Sequence, residues 1–170
     1  MSELITDFKS AMRRLTTTVS VVSCALDGVR HGMTATAVTS VCVDPPSLLV
    51  CVNRSASMHI PMTKAGVFCV NLLASGQVDV GLAFGGGSTG ENRFAVGVWR
   101  NSEEGTPYLQ HAQANIFCRL YRSIDYCTHS IFIAEVVKAS SIATVSPLLY
   151  QDGKFVQMED LTKPFASEAG

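Results

Sequence analysis

Short apolar runs separated by strong turn signals constrain the fold of this chain more than any other feature. Asp27-Gly28, Asp44-Pro45-Pro46 and Asp152-Gly153 interrupt segments that are rich in valine and threonine. Asp-Gly pairs favour tight hairpin turns, and proline cannot donate the hydrogen bond that a central strand requires. The pattern predicts a mainly β chain with antiparallel strands rather than alternating strands and helices.

The same pattern predicts six or seven short strands. Residues 18–26 and 30–43 are expected to form one hairpin around Asp27-Gly28. Further strands are expected at residues 47–53, 67–73, 114–124, 129–139 and 148–158, the last broken by the Asp152-Gly153 turn. Because only brief helices lie between them, we expect a Greek-key-like antiparallel barrel.

An amphipathic helix is expected over residues 4–15, where apolar side chains recur at helical spacing and basic ones face the other way. The apolar residues are Leu4, Ile5, Phe8, Met12 and Leu15. A helix with such a stripe buries it, so we expect this one to cover another surface.

A shorter helix is expected to end at residue 65, with Ser55 or Ser57 as its N-cap and Gly66 as its C′ residue. The other expected segments are a helix at 77–84, a flexible loop at 85–92, a polar loop at 100–107 and a loosely held tail at 159–170.

Length and charge exclude several classes of protein. The 170 residues suit a single domain, 1–170, with its core at about 8–158. Thirteen Lys plus Arg against fourteen Asp plus Glu give a net charge of −1 with no run of like charge, so we expect neither nucleic acid nor a membrane surface as a partner. No apolar run approaches the roughly 18–20 residues of a spanning helix. The start, Met1-Ser2-Glu3-Leu4, lacks the basic region of a secretory signal, so we expect a cytoplasmic protein.

Cysteine and histidine spacing indicates no disulfide framework and no metal site. The six cysteines form no Cys-x-x-Cys pair, and most lie inside apolar runs, as free buried thiols do. The four histidines show no metal-ligand spacing.

Gly85 to Gly90 matches the G-x-G-x-x-G pattern of dinucleotide-binding proteins. That pattern carries meaning only between a strand and a helix of a βαβ unit. Here it follows an expected helix and leads into polar residues, so we interpret it as a loop.

Small and hydroxyl side chains alternate along Gly32 to Ser40. A strand of this kind leaves its backbone open to a planar partner, because no bulky side chain holds that partner away. Close packing against a neighbouring strand explains the same residues equally well. On this stretch alone, both interpretations stay open.

Asn53-Arg54-Ser55-Ala56-Ser57 follows an expected strand and precedes an expected helix. The segment offers a guanidinium, two hydroxyls and backbone amides to a single anion. The alternative is that Ser55 and Ser57 are ordinary helix caps. Together with the small-residue strand, the segment predicts a phosphorylated flat cofactor, with its ring on the strand and its phosphate at the turn.

Several segments in this order resemble the short-chain flavin reductases, the small components of two-component flavin-dependent monooxygenases, such as the reductase partner of 4-hydroxyphenylacetate hydroxylase. They are Gly32 to Val41, Asp44-Pro45-Pro46 with Leu48 to Asn53, Phe68 to Leu73, Asn92-Arg93-Phe94 and Thr128 to Val136. The resemblance implies an FMN-binding split β-barrel that forms a homodimer, binds FMN or FAD and oxidises NADH or NADPH.

The resemblance also implies roles for particular residues. Met33, Thr34, Ala35, Thr36, Ala37, Val38 and Thr39 would meet the isoalloxazine edge; Asn53, Arg54, Ser55 and Ser57 would hold the ribityl phosphate; Asn71 would lie near the flavin; Arg93 would reach a phosphate; and His129 would handle the nicotinamide. Many relatives carry Gly-Asp-His where this chain has Cys127-Thr128-His129, so the histidine matches and the acidic residue does not.

The expected activity is hydride transfer from NADH or NADPH to FMN or FAD, with the reduced flavin supplied to a partner monooxygenase. Because the cofactors carry this chemistry, the absence of a catalytic triad or carboxylate pair fits it. The alternative is a barrel of the same fold that keeps FMN as a fixed prosthetic group and reduces another acceptor or acts as a binding module.

Overall fold

Antiparallel strands dominate the computed structural model, which describes residues 3–158. The helices are α1 (Glu3–Met12), α2 (His59–Ala65) and α3 (Val78–Leu82), followed by a π-helical turn (Ala83–Gly87) and a 3-10 turn (Gly90–Ala95). The strands are β1 (Thr17–Thr18), β2 (Ser20–Leu26), β3 (Val29–Ala35), β4 (Val38–Val43), β5 (Pro46–Asn53), β6 (Val67–Leu72), β7 (Trp99–Asn101), β8 (Pro107–Leu109), β9 (Ala114–Tyr126), β10 (His129–Ser141), β11 (Leu149–Gln151) and β12 (Lys154–Val156).

Seven strands form one sheet in the order β3-β2-β6-β9-β10-β5-β4, and every neighbouring pair is antiparallel. The two edge strands, β3 and β4, are separated in the chain by Thr36 and Ala37 alone. So short a connection between opposite edges requires the sheet to curl until those edges approach each other. Within residues 3–158 the edges do not pair, so the barrel stays open between them. The expected mainly β, antiparallel fold is confirmed.

The prediction of a single strand over residues 30–43 is wrong. The chain leaves β3, which pairs with β2, and enters β4, which pairs with β5 at the other edge. The chain changes partners at Thr36-Ala37, where the strand is interrupted. The Ala37 carbonyl accepts the Cys51 amide at 3.0 Å, which fixes the chain at the crossing.

Residues 85–92 are predicted to form a flexible loop; the structure instead places residues 85–87 in the π-helical turn and 90–92 in the 3-10 turn, with Ser88 and Thr89 extended between them. The Arg30 guanidinium donates to Glu91 at 2.7 Å and lies 4.4 Å from the centre of the Phe94 ring. The same contact holds the pKa of the Glu91 carboxyl below its usual range. Ion pairing and ring contact therefore fasten the segment to β3.

Both faces of β2 are buried, because Val21 and Val22 are fully enclosed and successive side chains on a strand point to opposite sides. Val22 packs inside the barrel with Val50, Phe68 and Phe132. Val21 packs outside it in a second cluster, which α3, the helical turns and β8 cover. The inner cluster gives the barrel its core, and the outer one attaches the excursion over residues 78–109.

All six cysteines are free thiols, as expected, but they are not all buried. Burial raises the pKa of the Cys24 and Cys118 thiols to about 12 and raises that of Cys69 as well. Cys42 and Cys127 are exposed, which corrects the expectation for those two positions.

Helix α1 forms near the predicted position but ends at Met12, three residues before the predicted end at Leu15, and within this chain it buries none of its residues. Leu4 is 76% exposed and Phe8 is 62% exposed.

None of the helices in residues 3–158 is long and apolar enough to cross a membrane. The expected tail at 159–170 lies outside the described residues.

Gly32 is required by close packing. A Cβ atom there would lie 2.6 Å from Cε1 of Phe84. The Phe84 ring cannot retreat freely, because it packs at a centroid distance of 5.0 Å against both Phe94 and Trp99.

We expect Gly32→Ala to lower the free energy of unfolding by about 1–3 kcal/mol, the usual cost of overpacking a core. Denaturant unfolding of the purified variant measures this loss. Gly76→Ala is the matched control, since nothing lies within 4 Å of its added Cβ. Equal stability of the two variants would contradict the packing argument.

Candidate functional site

The end of β5 and the start of β10 bring two predicted segments together. His129 is the register partner of Asn53, and the Arg54 amide donates to the Thr128 carbonyl at 2.9 Å. The predicted phosphate turn and the predicted nicotinamide residue therefore share one rim of the barrel, although 75 positions separate Arg54 from His129 in the sequence.

The turn at residues 53–57 is shaped by its first side chain. Asn53 Oδ1 accepts the Ser55 amide at 2.9 Å and the Ser55 hydroxyl at 2.8 Å. Met58 is the N-cap of α2, and no side chain caps the helix, so the alternative of Ser55 or Ser57 as the cap is wrong. Arg54, Ser55 and Ser57 are exposed, and a ligand can reach their side chains.

A hydrogen-bonded chain that the sequence analysis missed lies directly behind this turn. Ser130 Oγ donates to Asp125 Oδ1 at 2.6 Å and lies 2.7 Å from His59 Nε2. Because the single serine proton goes to the carboxylate, His59 Nε2 donates to Ser130. Placing a two-residue turn at Cys127-Thr128 would have paired Asp125 with Ser130 in the hairpin, which is the signal that could have revealed them.

His129 is exposed at the start of β10, and its Nδ1 lies 2.9 Å from Thr128 Oγ1. Its register partners are Asn53 on one side and Tyr126 on the other. Cys127 adopts the left-handed backbone, with φ of 48°, at the turn that precedes it. The imidazole thus faces solvent beside the phosphate turn.

A groove of about 570 Å³ runs along the β4 edge. Thr36, Val38 and Thr39 line it from the predicted ring-binding strand, and Leu48 lines it from β5. Ser20 also lines the groove, and its hydroxyl is buried with no hydrogen-bond partner within residues 3–158. An unpaired buried hydroxyl beside an open groove fits a ligand that carries a polar group.

The structure divides the predicted ring-binding strand into two parts. Thr34 donates to the Gly81 carbonyl at 2.7 Å, Met33 packs against the inner core, and Ala35 is buried. These three residues therefore face the protein rather than the groove. Ala37 lies at the crossing between the sheet edges, next to the groove residues.

The strand register gives the distance between the nearest groove residue, Val38, and the start of the 53–57 turn at Asn53. Val38 pairs with Val50, and Asn53 follows three residues later on the same strand. At roughly 3.3 Å per residue, the separation along β5 is about 10 Å. An extended ribityl phosphate can cover that distance.

Asn71 is buried, with none of its surface exposed, and its place near the flavin remains a prediction. Its Nδ2 donates to the Val21 carbonyl at 2.8 Å and to Ser23 Oγ at 2.9 Å. Its Oδ1 accepts the Leu109 amide at 2.7 Å and Asn115 Nδ2 at 2.9 Å. The side chain ties β2, β8 and β9 to β6.

Arg93 fastens the helical turns to β3. Its Nε donates to the Ser88 carbonyl at 2.8 Å, and its Nη1 donates to the Gly32 carbonyl at 2.7 Å. The structure thus anchors Arg93 to β3, whereas the phosphate turn at residues 53–57 follows β5. A phosphate contact from Arg93 remains a prediction.

Comparison with known proteins decides the family. Residues 12–159 match the model described as a flavin reductase like domain. The chain belongs to the flavin reductase family. The reductase component of the FADH(2)-dependent resorcinol hydroxylase of Rhizobium sp. (strain MTP-10005) is 42% identical over 151 residues, covering 88% of this chain and 84% of that protein.

Two further relatives support the assignment. The FMN reductase (NADH) RutF of Pseudomonas syringae is 40% identical over 143 residues, covering 84% of this chain and 80% of its own. The NADH:FAD oxidoreductase SgcE6 of Streptomyces globisporus, solved in complex with NAD and FAD fragments, has a TM-score of 0.82. It is 29% identical and covers 98% of this chain and 95% of its own.

We expect Asn71→Ala to lower the free energy of unfolding by at least about 2 kcal/mol, because the Leu109 amide and the Asn115 side chain lose a buried acceptor. Denaturant unfolding without flavin measures the loss. The exposed Asn101→Ala is the control. Unchanged stability combined with lost flavin affinity would instead return Asn71 to the ligand site.

Proposed function

We propose that this flavin reductase transfers hydride from NADH or NADPH to FMN or FAD. The observation that carries the proposal is the meeting of an anion-binding turn and an exposed histidine on one rim of the barrel. A groove with an unpaired hydroxyl begins about 10 Å away along β5. The relatives of this chain are named FMN reductase (NADH) and NADH:FAD oxidoreductase.

The groove residues Thr36, Val38 and Thr39 would hold the flavin ring, and the turn at residues 53–57 would hold its phosphate. Arg54 supplies a charge-assisted donor, and Asn53 keeps the turn in shape through Ser55. When bound, the flavin supplies the hydride acceptor. The chain contributes orientation and binding, which is all that such a transfer requires of the protein.

His129 would bind the nicotinamide substrate. The imidazole lies at the start of β10, opposite Asn53 of β5, where it can donate a hydrogen bond to a carboxamide or a pyrophosphate. Thr128 Oγ1 limits the ring's orientation through Nδ1, which leaves Nε2 for a ligand.

The reduced flavin would pass to an oxygenase component, as the name of the resorcinol hydroxylase relative implies for that protein.

We also propose a homodimer, because the exposed apolar side of α1 and the exposed Val41 and Val43 of β4 suit a symmetric partner. The free thiols fit the reducing conditions of the cytoplasm, where we place the protein.

The decisive experiment measures NADH and NADPH oxidation with FMN, FAD and riboflavin added in turn. We expect the rate to rise with free flavin and to saturate at lower concentrations of FMN or FAD than of riboflavin, which has no phosphate for the turn. A protein that binds flavin without any flavin-dependent rate would be a binding module and would overturn the proposal.

We expect His129→Ala to lower kcat/KM for NADH about tenfold, the effect of one lost hydrogen bond, with the flavin Kd nearly unchanged. Steady-state kinetics and a flavin titration separate the two quantities. His111→Asn, at an exposed left-handed position that asparagine tolerates, is the control. Lost flavin binding with unchanged NADH kinetics would move His129 to the flavin site.

A further inference from the structure

An acidic side chain stands next to the guanidinium of the proposed phosphate turn. Asp125 Oδ2 lies 4.0 Å from Arg54 Nη2, and both side chains are about half exposed, at 57% and 54%. A pair of this length and exposure is weak, and its partners exchange readily with solvent or with another ion.

The carboxylate of Asp125 is nevertheless fixed in place. Its Oδ1 accepts the hydroxyl of Ser130, which is fully buried, and Ser130 in turn accepts His59 Nε2. His59 is itself held by edge-to-face contact with Phe132, at 5.4 Å between ring centres. Three buried or half-buried groups therefore present Oδ2, the remaining oxygen, toward Arg54.

A phosphate and a carboxylate compete for one guanidinium when both are within its reach. Backbone bonding joins the two sides, since the Arg54 amide donates to Thr128, in the turn of the hairpin that carries Asp125. Arg54 can leave Asp125 for a ligand, but Asp125 cannot follow it, because Ser130 holds the carboxylate.

We propose that Asp125 is a specificity-determining residue that weakens the hold of Arg54 on phosphate-bearing flavins. The inference rests on the proposed function, in which Arg54 binds the flavin phosphate. By lowering the affinity for the phosphate, Asp125 lets flavin bind and leave as a substrate rather than stay as a fixed group.

The test compares dissociation constants for FMN and riboflavin, measured by titration of flavin fluorescence. Asp125→Asn removes the charge but keeps an oxygen for Ser130, and Asp125→Ala removes the charge without adding an amide donor. We expect both variants to bind FMN about two- to fivefold more tightly, the range of an exposed ion pair, and riboflavin as before. Glu103→Gln, an equal charge change in the exposed turn after β7, is expected to change neither constant.

The Arg54→Ala background shows whether Asp125 acts through Arg54. There we expect weaker FMN binding and no further gain from Asp125→Asn. Tighter FMN binding that persists without Arg54, or weaker FMN binding in the Asp125 variants, would overturn the inference. If the native protein binds no flavin at all, the proposed function fails; if it binds FMN but the Asp125 variants do not differ from it, only the inference fails.

Discussion

The rest of the structure depends on the short connection between two opposite sheet edges. Thr36 and Ala37 are too few to cross an open seven-stranded sheet, so β3 and β4 can both form only if the sheet curls. Curling encloses the inner side chains, among them Val22, Val50 and Phe132, and creates the barrel core. It also leaves a groove where β4 remains unpaired on one side, and the proposed flavin ring site lies in that groove.

The second half of the site follows from hairpin register. The β9–β10 turn sets Asp125 opposite Ser130, and the β10–β5 pairing sets His129 opposite Asn53. Register also accounts for the 53–57 turn lying beside Thr128. One ladder of backbone hydrogen bonds therefore positions the anion-binding turn, the histidine and the carboxylate together.

The hydrogen-bond partners of buried polar groups distinguish residues that hold the strands together from residues of the proposed site. Asn71 is saturated with partners and holds four strands in place, whereas the enclosed hydroxyl of Ser20 has none among residues 3–158. A low-dielectric interior makes an unpaired polar group costly, which is why we include this hydroxyl in the proposed ligand site. The amide of Asn71 is thus part of the scaffold, and Ser20, which belongs to no predicted motif, lines the groove.

The sequence alone determined most strand positions, the Asp-Gly turns, the amphipathic α1 and the segment at residues 53–57, because these depend on side-chain periodicity and turn chemistry within a few residues. It also supported the family resemblance that the comparisons establish. It did not reveal the break at Thr36-Ala37, the folded turns at 85–95 or the burial of Asn71. Only the tertiary structure decided these, because they depend on which distant strands become neighbours. Patterns within a few residues of sequence do not determine that pairing.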